Sequence, residues 1–274
     1  MDVERVWQVY FSPTGGVERA TAVLAEELGR ALGAPVETFD FTLPQARTGT
    51  RRYGPGDLVV FGTPVYAGRV PNKILPFVQE GFLGEGALAV PVAVFGNRSF
   101  DDALAELRNT LESRGFHTVA GAAVAARHAF SQTLAAGRPD GADLEALRAF
   151  ARRTADKVRA AEETPPPVAV AGRDPVGPYY TPLGLDGQPA VFLKAKPKTR
   201  EDLCLRCGLC ARSCPMGSIS REDPARVTGV CIKCQACVRR CPAGAKYFDD
   251  PAFLSHKAML EQTYAARKEP AFFL

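Results

Sequence analysis

Residues 6–17 read VWQVYFSPTGGV, and this stretch decides the fold of the first 162 residues. The β-branched and aromatic run from Val6 to Phe11 predicts a strand, which breaks at the turn-forming residues 12–16. Apolar residues then recur at three- and four-residue spacing from Ala20 to Leu32, which predicts a helix that ends at Gly33. Hydroxyl and backbone N–H groups therefore converge at a helix N-terminus, an arrangement that binds anions.

The alternation of strand and helix continues through residue 162. Further apolar runs predict strands at Pro35–Phe41, Asp57–Phe61, Pro91–Phe95 and Val119–Ala125. Helical spacing predicts helices at Asn72–Phe82, from Asp101 to Gly115, and at Asp143–Ala161. Five strands that alternate with helices indicate an α/β fold with a doubly wound parallel sheet. Ligands of such sheets bind beyond the carboxyl ends of the strands, where the strand order reverses.

The composition excludes several classes of protein. Of the 274 residues, 46% are hydrophobic and 23% are charged, which is ordinary for a globular chain and unlike a disordered one. The formal net charge of +4 is spread along the chain, so we expect no nucleic-acid partner. The sequence shows no signal peptide and no apolar run of membrane-helix length, so we expect no membrane partner and a cytoplasmic location.

A proline-rich arm separates two parts of the chain. Eight of the 22 prolines fall between Thr164 and Lys198, which excludes helix or inner strand there and predicts an extended segment. It is either a passive linker or an arm that packs on both domains. A closing helix is predicted from Pro251 to Lys268. The predicted segments are an α/β domain at 1–162, the arm at 163–199, a cysteine-rich domain at 200–250, and a C-terminal helix and tail at 251–274.

All eight cysteines lie within residues 204–241, in two runs that begin at Cys204 and Cys231. Each run reads Cys-x-x-Cys-x-x-Cys-x-x-x-Cys-Pro. Three cysteines at this spacing lie on a tight loop that reaches three irons of a cubane cluster, so the fourth ligand must come from elsewhere. Zinc is the alternative, but zinc sites use paired Cys-x-x-Cys knuckles, and a third cysteine at that spacing is superfluous. Disulfides are disfavoured in a reducing compartment.

Residues 200–249 resemble the dicluster bacterial ferredoxins, in which the fourth cysteine of each run binds the other cluster. The resemblance implies two [4Fe–4S] clusters. One is assigned to Cys204, Cys207, Cys210 and Cys241, and the other to Cys231, Cys234, Cys237 and Cys214. Basic residues interleave with these ligands, and they raise the cluster potential, dock an acidic partner, or form an ordinary solvated face: Arg206, Arg212, Lys233, Arg239 and Arg240.

The loop at residues 12–17 resembles the phosphate loop of the flavodoxins, which reads Ser/Thr-x-Thr-Gly-x-Thr. The resemblance implies that this loop holds the monophosphate of FMN. Val17 replaces the last threonine, so one hydroxyl donor is missing, and either the Val17 N–H suffices or the phosphate is held more weakly. The candidate phosphate-binding residues are Ser12, Pro13, Thr14, Gly15, Gly16 and Val17.

Two further loops occupy the positions at which a flavodoxin holds its isoalloxazine ring. The resemblance implies that Tyr66 stacks on one face, that Phe100 lies against the other, and that Gly68 lets the backbone approach the ring. The alternative is that both aromatics are ordinary core or rim residues. The candidates are Thr63, Pro64, Val65, Tyr66 and Gly68 after the third strand, and Gly96, Asn97, Arg98 and Phe100 after the fourth.

Four other side chains carry weaker expectations. Arg98 either reaches flavin oxygens or pairs with Asp101 or Asp102. No partner is visible in the sequence for the three histidines, and structural roles are expected for His117, His128 and His256.

The whole chain resembles a flavodoxin–ferredoxin fusion, an iron–sulfur flavoprotein of the kind found in anaerobic prokaryotes. The resemblance implies a flavodoxin-like five-stranded sheet of order 2-1-3-4-5, followed by a small α+β dicluster ferredoxin domain, with FMN and two [4Fe–4S] clusters. We expect electron transfer between these cofactors and external redox partner proteins, with a homodimer left open. The alternatives are a flavin-dependent oxidoreductase that reduces a small molecule with electrons from the clusters, and a scaffold whose flavin site has decayed.

Overall fold

A computed structural model describes all 274 residues, and its largest feature is a mostly parallel sheet. The strands are β1 (Arg5–Tyr10), β2 (Val36–Asp40), β3 (Arg51–Arg52), β4 (Asp57–Pro64), β5 (Phe82–Leu83), β6 (Leu88–Phe95), β7 (His117–Thr118), β8 (Gly121–Ala125), β9 (Lys198–Thr199), β10 (Lys246–Tyr247) and β11 (Ala271–Phe273). The helices are α1 (Gly16–Leu32), α2 (Leu75–Glu80), α3 (Ala103–Ser113), α4 (Gly141–Ala160), α5 (Leu209–Arg212), α6 (Ala236–Arg239) and α7 (Pro251–Thr263).

Five parallel strands form the centre of this sheet in the order β2-β1-β4-β6-β8. Counted along the chain, these five strands have the order 2-1-3-4-5, so the predicted doubly wound topology is confirmed. The order reverses between β1 and β4. The loops that follow these two strands therefore open a crevice at the carboxyl end of the sheet.

Both faces of the central strands are buried, because helices cover each of them. Leu24 of α1 and Phe150 of α4 belong to one buried apolar cluster. On the opposite face, Val78 of α2 and Leu111 of α3 pack in a second cluster with Phe61 of β4. This arrangement explains why β4 and β6 are almost continuously apolar in sequence. No helix combines the length and the apolar character that crossing a membrane requires.

Two predicted helices extend at least three residues too far at one end. The first begins at Leu75 rather than Asn72, and Phe82 belongs instead to β5, which pairs with β3. The closing helix ends at Thr263 rather than Lys268. Beyond that residue the chain is held by Asn97, whose side-chain amide donates to the carbonyls of residues 264 and 266 at 2.7 and 2.8 Å. These long-range bonds replace the hydrogen bonds of a further helical turn.

The C-terminal tail forms an edge strand of the main sheet, which no pattern in the sequence predicts. β11 pairs with β8 in the antiparallel direction. Phe272 stacks on Phe150 of α4, with ring centroids 4.7 Å apart. The last residues of the chain therefore belong to the core of the α/β domain.

Phe272→Ala is expected to lower the free energy of unfolding by about 2 kcal/mol. This loss is smaller than the ~3–5 kcal/mol measured for a fully buried phenylalanine, because the Phe272 ring is half-buried. Urea unfolding followed by circular dichroism measures the change. Leu254→Ala on the exposed side of α7 is the control, with an expected change within about 0.5 kcal/mol. Equal losses in the two variants would contradict a packing role for the tail.

The proline-rich arm packs on the α/β domain, so it is not a passive linker. The N–H of Val168 donates to the Thr118 carbonyl at 2.9 Å, and the N–H of Tyr180 donates to the Ala67 carbonyl at 2.8 Å. The extended conformation follows from the proline content. The segment boundaries proposed at residues 162, 199 and 250 stay predictions.

Asp102 is the main anchor of the arm. This buried carboxylate accepts the backbone N–H groups of Arg173 and Gly177, both at 2.9 Å, and pairs with the Arg173 guanidinium at 2.7 Å. The hydrogen bond from the Arg173 side chain, aided by the two backbone bonds, lowers the pKa of Asp102 to about 2. The carboxylate is therefore charged at neutral pH, and its bonds to the arm are charge-assisted.

Asp102→Ala is expected to raise the rate of tryptic cleavage after Arg173 at least tenfold. Hydrogen bonds to a charged group contribute about 1.5–3 kcal/mol each, and losing them favours local opening of the arm. Asp186→Ala, which removes an exposed carboxylate elsewhere in the arm, is the control and should leave the rate unchanged. An unchanged rate in the Asp102 variant would show that other contacts hold the arm.

The cysteine-rich domain packs beside the carboxyl end of the sheet. Arg47, which follows β2, donates to the Pro215 carbonyl at 2.5 Å. Arg239 of α6 donates to three carbonyls in the loop after β8, those of residues 128, 129 and 131. Met216 and Ile232 pack against the same core cluster as Phe61. Arg239 is therefore a contact between domains rather than part of a solvated face.

Candidate functional site

Hydrogen bonds from Ser12 to α1 and to Thr42, after β2, hold the loop between β1 and α1 in place. The Ser12 hydroxyl accepts the Glu18 N–H at 3.0 Å, and the Ser12 N–H donates to the Thr42 hydroxyl at 2.7 Å. Gly15 has a φ of 86°, in the left-handed region that glycine adopts without strain, and α1 begins at the next residue. The free N–H groups and the positive end of this 17-residue helix favour an anion here.

A cavity of about 540 Å³, called the main cavity below, opens from this loop. It lies at the crevice where the strand order reverses. Loops after β4, β6 and β8 form its walls, and the arm, the cysteine-rich domain and α7 close it. The six candidate phosphate-binding residues all line it: Ser12, Pro13, Thr14, Gly15, Gly16 and Val17. The Val17 side chain is nevertheless buried in the core, so only its backbone can serve an anion.

The loop after β4 forms a tight turn against the main cavity. Tyr66 and Arg69 exchange backbone hydrogen bonds of 2.9 and 3.1 Å around Ala67 and Gly68, whose φ angles are 49° and 77°. Four of the five candidates in this region line the cavity, namely Pro64, Val65, Tyr66 and Gly68. The exception is Thr63, which is buried outside the lining and whose hydroxyl has no hydrogen-bond partner.

Tyr66 lines the main cavity, as do Ile232, Lys233 and Arg239 of the cysteine-rich domain. Burial raises the pKa of its hydroxyl well above the ordinary range, and the thiols of Cys234 and Cys231 raise it further, against a smaller opposing effect of Arg239. The Tyr66 side chain can contact a ligand in the main cavity, and the cysteine-rich domain contributes to the wall of the same cavity.

The loop after β6 corrects two expectations. Gly96 and Arg98 line the main cavity, whereas Asn97 and Phe100 do not. Asn97 holds the segment after α7, as described above. The Phe100 ring packs instead on Phe95, 5.6 Å away between centroids, in an apolar cluster that includes Val65. Phe100 is therefore a half-buried aromatic at the rim of the core, which is the alternative left open for it.

Three aromatic residues outside the predicted loops line the main cavity. Phe130 lies in the loop after β8, and Tyr180 and Phe192 belong to the arm; all three line the main cavity. No local spacing relates these residues, because they come from separate segments. The adjacent Tyr179 and Tyr180 in a proline-rich stretch were the one visible signal, and sequence alone does not place them over the crevice.

Two of the three histidines also line the main cavity. Nδ1 of His128 accepts the Phe130 N–H at 3.1 Å, so a neutral His128 carries its proton on Nε2. Nδ1 of His256 lies 2.8 Å from the Leu183 carbonyl and donates to it, so a neutral His256 has an accepting Nε2. Burial lowers the pKa of His256 and that of His128, the latter to about 3. Both rings are therefore neutral at pH 7.

Arg98 pairs with Asp101 rather than with Asp102, whose partner is Arg173. Its guanidinium also lies 4.0 Å from the centroid of the Tyr180 ring. Arg98 therefore helps to hold the arm over the main cavity, while part of it lines the cavity.

The eight cysteines surround two small cavities. One is lined by Cys214, Cys231, Cys234 and Cys237, called the inner quartet below. The other is lined by Cys204, Cys207, Cys210 and Cys241, the outer quartet. These are the two groups expected from the resemblance, although their iron ligation stays a prediction. No group of three or more His, Cys, Asp or Glu side chains lies close enough to hold a single metal ion.

The two cysteine runs have the same local geometry. In each, the residues before and after the second cysteine have left-handed backbone: Arg206 and Gly208 in the first run, Lys233 and Gln235 in the second. Backbone N–H groups four residues after the last cysteine donate to its sulfur, at 3.4 Å for Cys214 and 3.2 Å for Cys241. Curled loops of thiols with N–H donors to sulfur suit iron–sulfur clusters.

The inner quartet shares a wall with the main cavity. Ile232 and Lys233, which lie between Cys231 and Cys234, are lining residues of that cavity. The outer quartet contributes no lining residue to it, and Cys207 is exposed. The structure therefore arranges the three sites in a series, from the main cavity through the inner quartet to the outer quartet and the surface.

The comparisons with known proteins concern the two parts separately. Residues 196–242 match the family model of a 4Fe-4S dicluster domain. Among solved structures, the chain is similar to rubredoxin oxygen:oxidoreductase from the anaerobe Desulfovibrio gigas, with 17% identity and a TM-score of 0.41 over 58% of this chain and 37% of that chain. It is also similar to a flavodoxin from the domain Archaea, with 12% identity and a TM-score of 0.41 over 57% of this chain and 99% of that chain.

A third similar structure is the flavodoxin of Streptococcus pneumoniae TIGR4, with 20% identity and a TM-score of 0.40 over 56% of this chain and 99% of that chain. The search of curated proteins finds no match. The strand order of the sheet and the dicluster match at residues 196–242 carry the assignment. The chain thus joins a doubly wound α/β domain with a flavodoxin-like strand order to a segment that matches the 4Fe-4S dicluster domain.

Proposed function

We propose that the protein binds FMN in the main cavity and relays electrons between FMN, two [4Fe–4S] clusters and external redox partner proteins. When bound, the flavin supplies a carrier of one or two electrons and each cluster a carrier of one. The observation that carries the proposal is the shared wall, because Ile232 and Lys233 belong both to the inner quartet's loop and to the main cavity.

The residues around the main cavity support FMN rather than a dinucleotide. The loop at residues 12–17 offers one anion site at one helix N-terminus, and no G-x-G-x-x-G fingerprint follows β1. Tyr66 provides an aromatic surface, and the turn at Gly68 exposes backbone close to the cavity. The arm and α7 cover the opposite side, which limits contact of a bound ring with solvent.

The exposed end of the series supports a redox partner protein as the external electron carrier. Cys207 of the outer quartet is exposed, and the adjacent Leu205 side chain is 69% exposed. A partner that contacts this face would be close to the outer quartet and far from the main cavity. Eight thiols held as iron ligands also require a reducing environment, which favours the cytoplasm.

A second candidate is a reductase that acts on a small molecule in the main cavity. Two histidines favour a reductase, because their Nε2 atoms have no hydrogen-bond partner in the protein. Nε2 of His128 is available as a donor, and Nε2 of His256 is available as an acceptor. Neutral imidazoles beside a flavin would be able to move a proton during reduction of a substrate.

Anaerobic purification tests the proposal directly. We expect one FMN and about eight irons and eight sulfides per chain, by visible spectroscopy and chemical analysis. After the flavin is photoreduced, a protein that only transfers electrons should show reduced clusters. Its turnover of quinones should be slow. Turnover of a quinone or nitro compound well above that of free FMN would favour the reductase, and protein with zinc or without flavin would reject both.

A further inference from the structure

The two halves of the cysteine repeat differ at one buried position. Ile219 and Lys246 each lie five residues after the last cysteine of their run. Ile219 is 5% exposed and packs with Cys210 and Cys237 in an apolar cluster. Lys246 is 3% exposed, so the second half of the repeat buries an ammonium group where the first half buries an aliphatic side chain.

The protein offers few interactions that would offset the cost of burying the positive charge of Lys246. Its ammonium donates to the Pro224 carbonyl and forms no ion pair with a carboxylate. An ammonium has three donors, and buried charges in proteins are normally paired or fully hydrogen-bonded. A fixed cation in this position therefore requires an anionic partner from outside the polypeptide.

The location of Lys246 identifies that partner. Lys246 and Pro224 line the same small cavity as the four cysteines of the outer quartet. The anionic partner of Lys246 is therefore the group that the outer quartet would hold. The inner quartet has cations of its own, since Arg47 contacts Pro215 and Lys233 lies between two of its ligands.

We propose that Lys246 is the buried counter-cation of the outer cluster and raises its reduction potential relative to that of the inner cluster. Reduction adds negative charge to a cluster that thiolate ligation already makes anionic, and a nearby cation stabilises that charge. The outer cluster is then the more favourable electron acceptor, which directs electrons from the inner site toward the surface. This inference rests on the proposed function, in which both quartets hold clusters.

The test is a redox titration of the full chain with its cofactors, followed by electron paramagnetic resonance. Lys246→Gln and Lys246→Ile, the latter matching Ile219, should lower the equilibrium constant for one-electron reduction of the outer cluster at least tenfold, a shift of 59 mV. The shift of the inner cluster should be smaller. Lys246→Arg should retain the wild-type potentials, and Lys198→Gln, which removes an exposed cation of the same domain, should change neither.

Cys207→Ala and Cys214→Ala assign each signal to its cluster. Unchanged potentials in Lys246→Gln protein that retains its iron would overturn the proposal. Should the neutral variants lose iron, the wild-type chain still provides a test between 0.1 and 1 M salt, where the Debye length falls from about 10 to 3 Å. If the buried cation is responsible, the difference between the two reduction potentials persists at high salt. If the difference disappears at high salt, exposed charges cause it and the proposal is wrong. Wild-type protein without two clusters would reject the proposed function instead.

Discussion

Cys214→Ala is expected to slow electron exchange between the flavin and the remaining cluster at least tenfold. Cys214 belongs to the inner quartet, whose loop forms a wall of the main cavity. Loss of that cluster leaves only the outer quartet as an acceptor, and the rate of electron transfer falls steeply with distance. Flash reduction of the flavin, followed at wavelengths where the clusters bleach, measures the rate.

Cys207→Ala is the matched control, because it removes a ligand of the outer quartet and leaves the inner one intact. It should lose a similar amount of iron and keep the fast exchange between flavin and cluster. Equal rates in the two variants would contradict the arrangement in series. An inner cluster lost in the Cys207 variant would contradict the assignment of ligands to the two quartets.

Gly68→Ala is expected to weaken FMN binding at least tenfold while iron content stays unchanged. Gly68 has a φ of 77°, and a Cβ there would lie 2.9 Å from the Cβ of Asp101 and closer still to its carboxylate. Asp101 would have to move, and it is the ion-pair partner of Arg98 at the cavity wall. The flavin affinity is measured by fluorescence titration of the deflavinated protein, and the iron by chemical analysis.

Gly187→Ala separates crowding from backbone strain. Gly187 has a φ of 72°, nearly that of Gly68, but no atom lies within 4 Å of the position its Cβ would take. Both variants carry the cost of a left-handed alanine, and only the Gly68 variant disturbs the main cavity. The proposal for this turn fails if the two variants bind FMN equally well.

Local sequence was sufficient to predict the five central strands of the sheet. The apolar run at residues 57–61 is buried on both faces of a central strand, and the loop at residues 12–17 lies where the strand order reverses. The resemblance to the dicluster ferredoxins anticipated the two quartets found around the small cavities, in which each run lends its last cysteine to the other. The strand and the loop depend on residues close together in the chain, whose geometry the backbone dictates.

The sequence was a weaker guide to which residues line the main cavity. Phe100 was a reasonable candidate for stacking, yet it packs on Phe95, and residues of the arm line the cavity instead. Asn97 lies in the expected loop, but its amide holds a segment nearly 170 residues further along the chain. Such contacts leave no periodicity in the sequence, because each pairs two segments that meet only after folding.

The sequence by itself determined the central strands and the two candidate binding regions, since strand periodicity, a glycine-rich turn and cysteine spacing are local properties of the chain. Only the tertiary structure decided which sites are neighbours. The inner quartet rather than the outer one adjoins the main cavity, and the tail completes the sheet as β11. The reason is that proximity between sites depends on how the domains pack, and packing is the sum of many weak contacts between residues far apart in sequence.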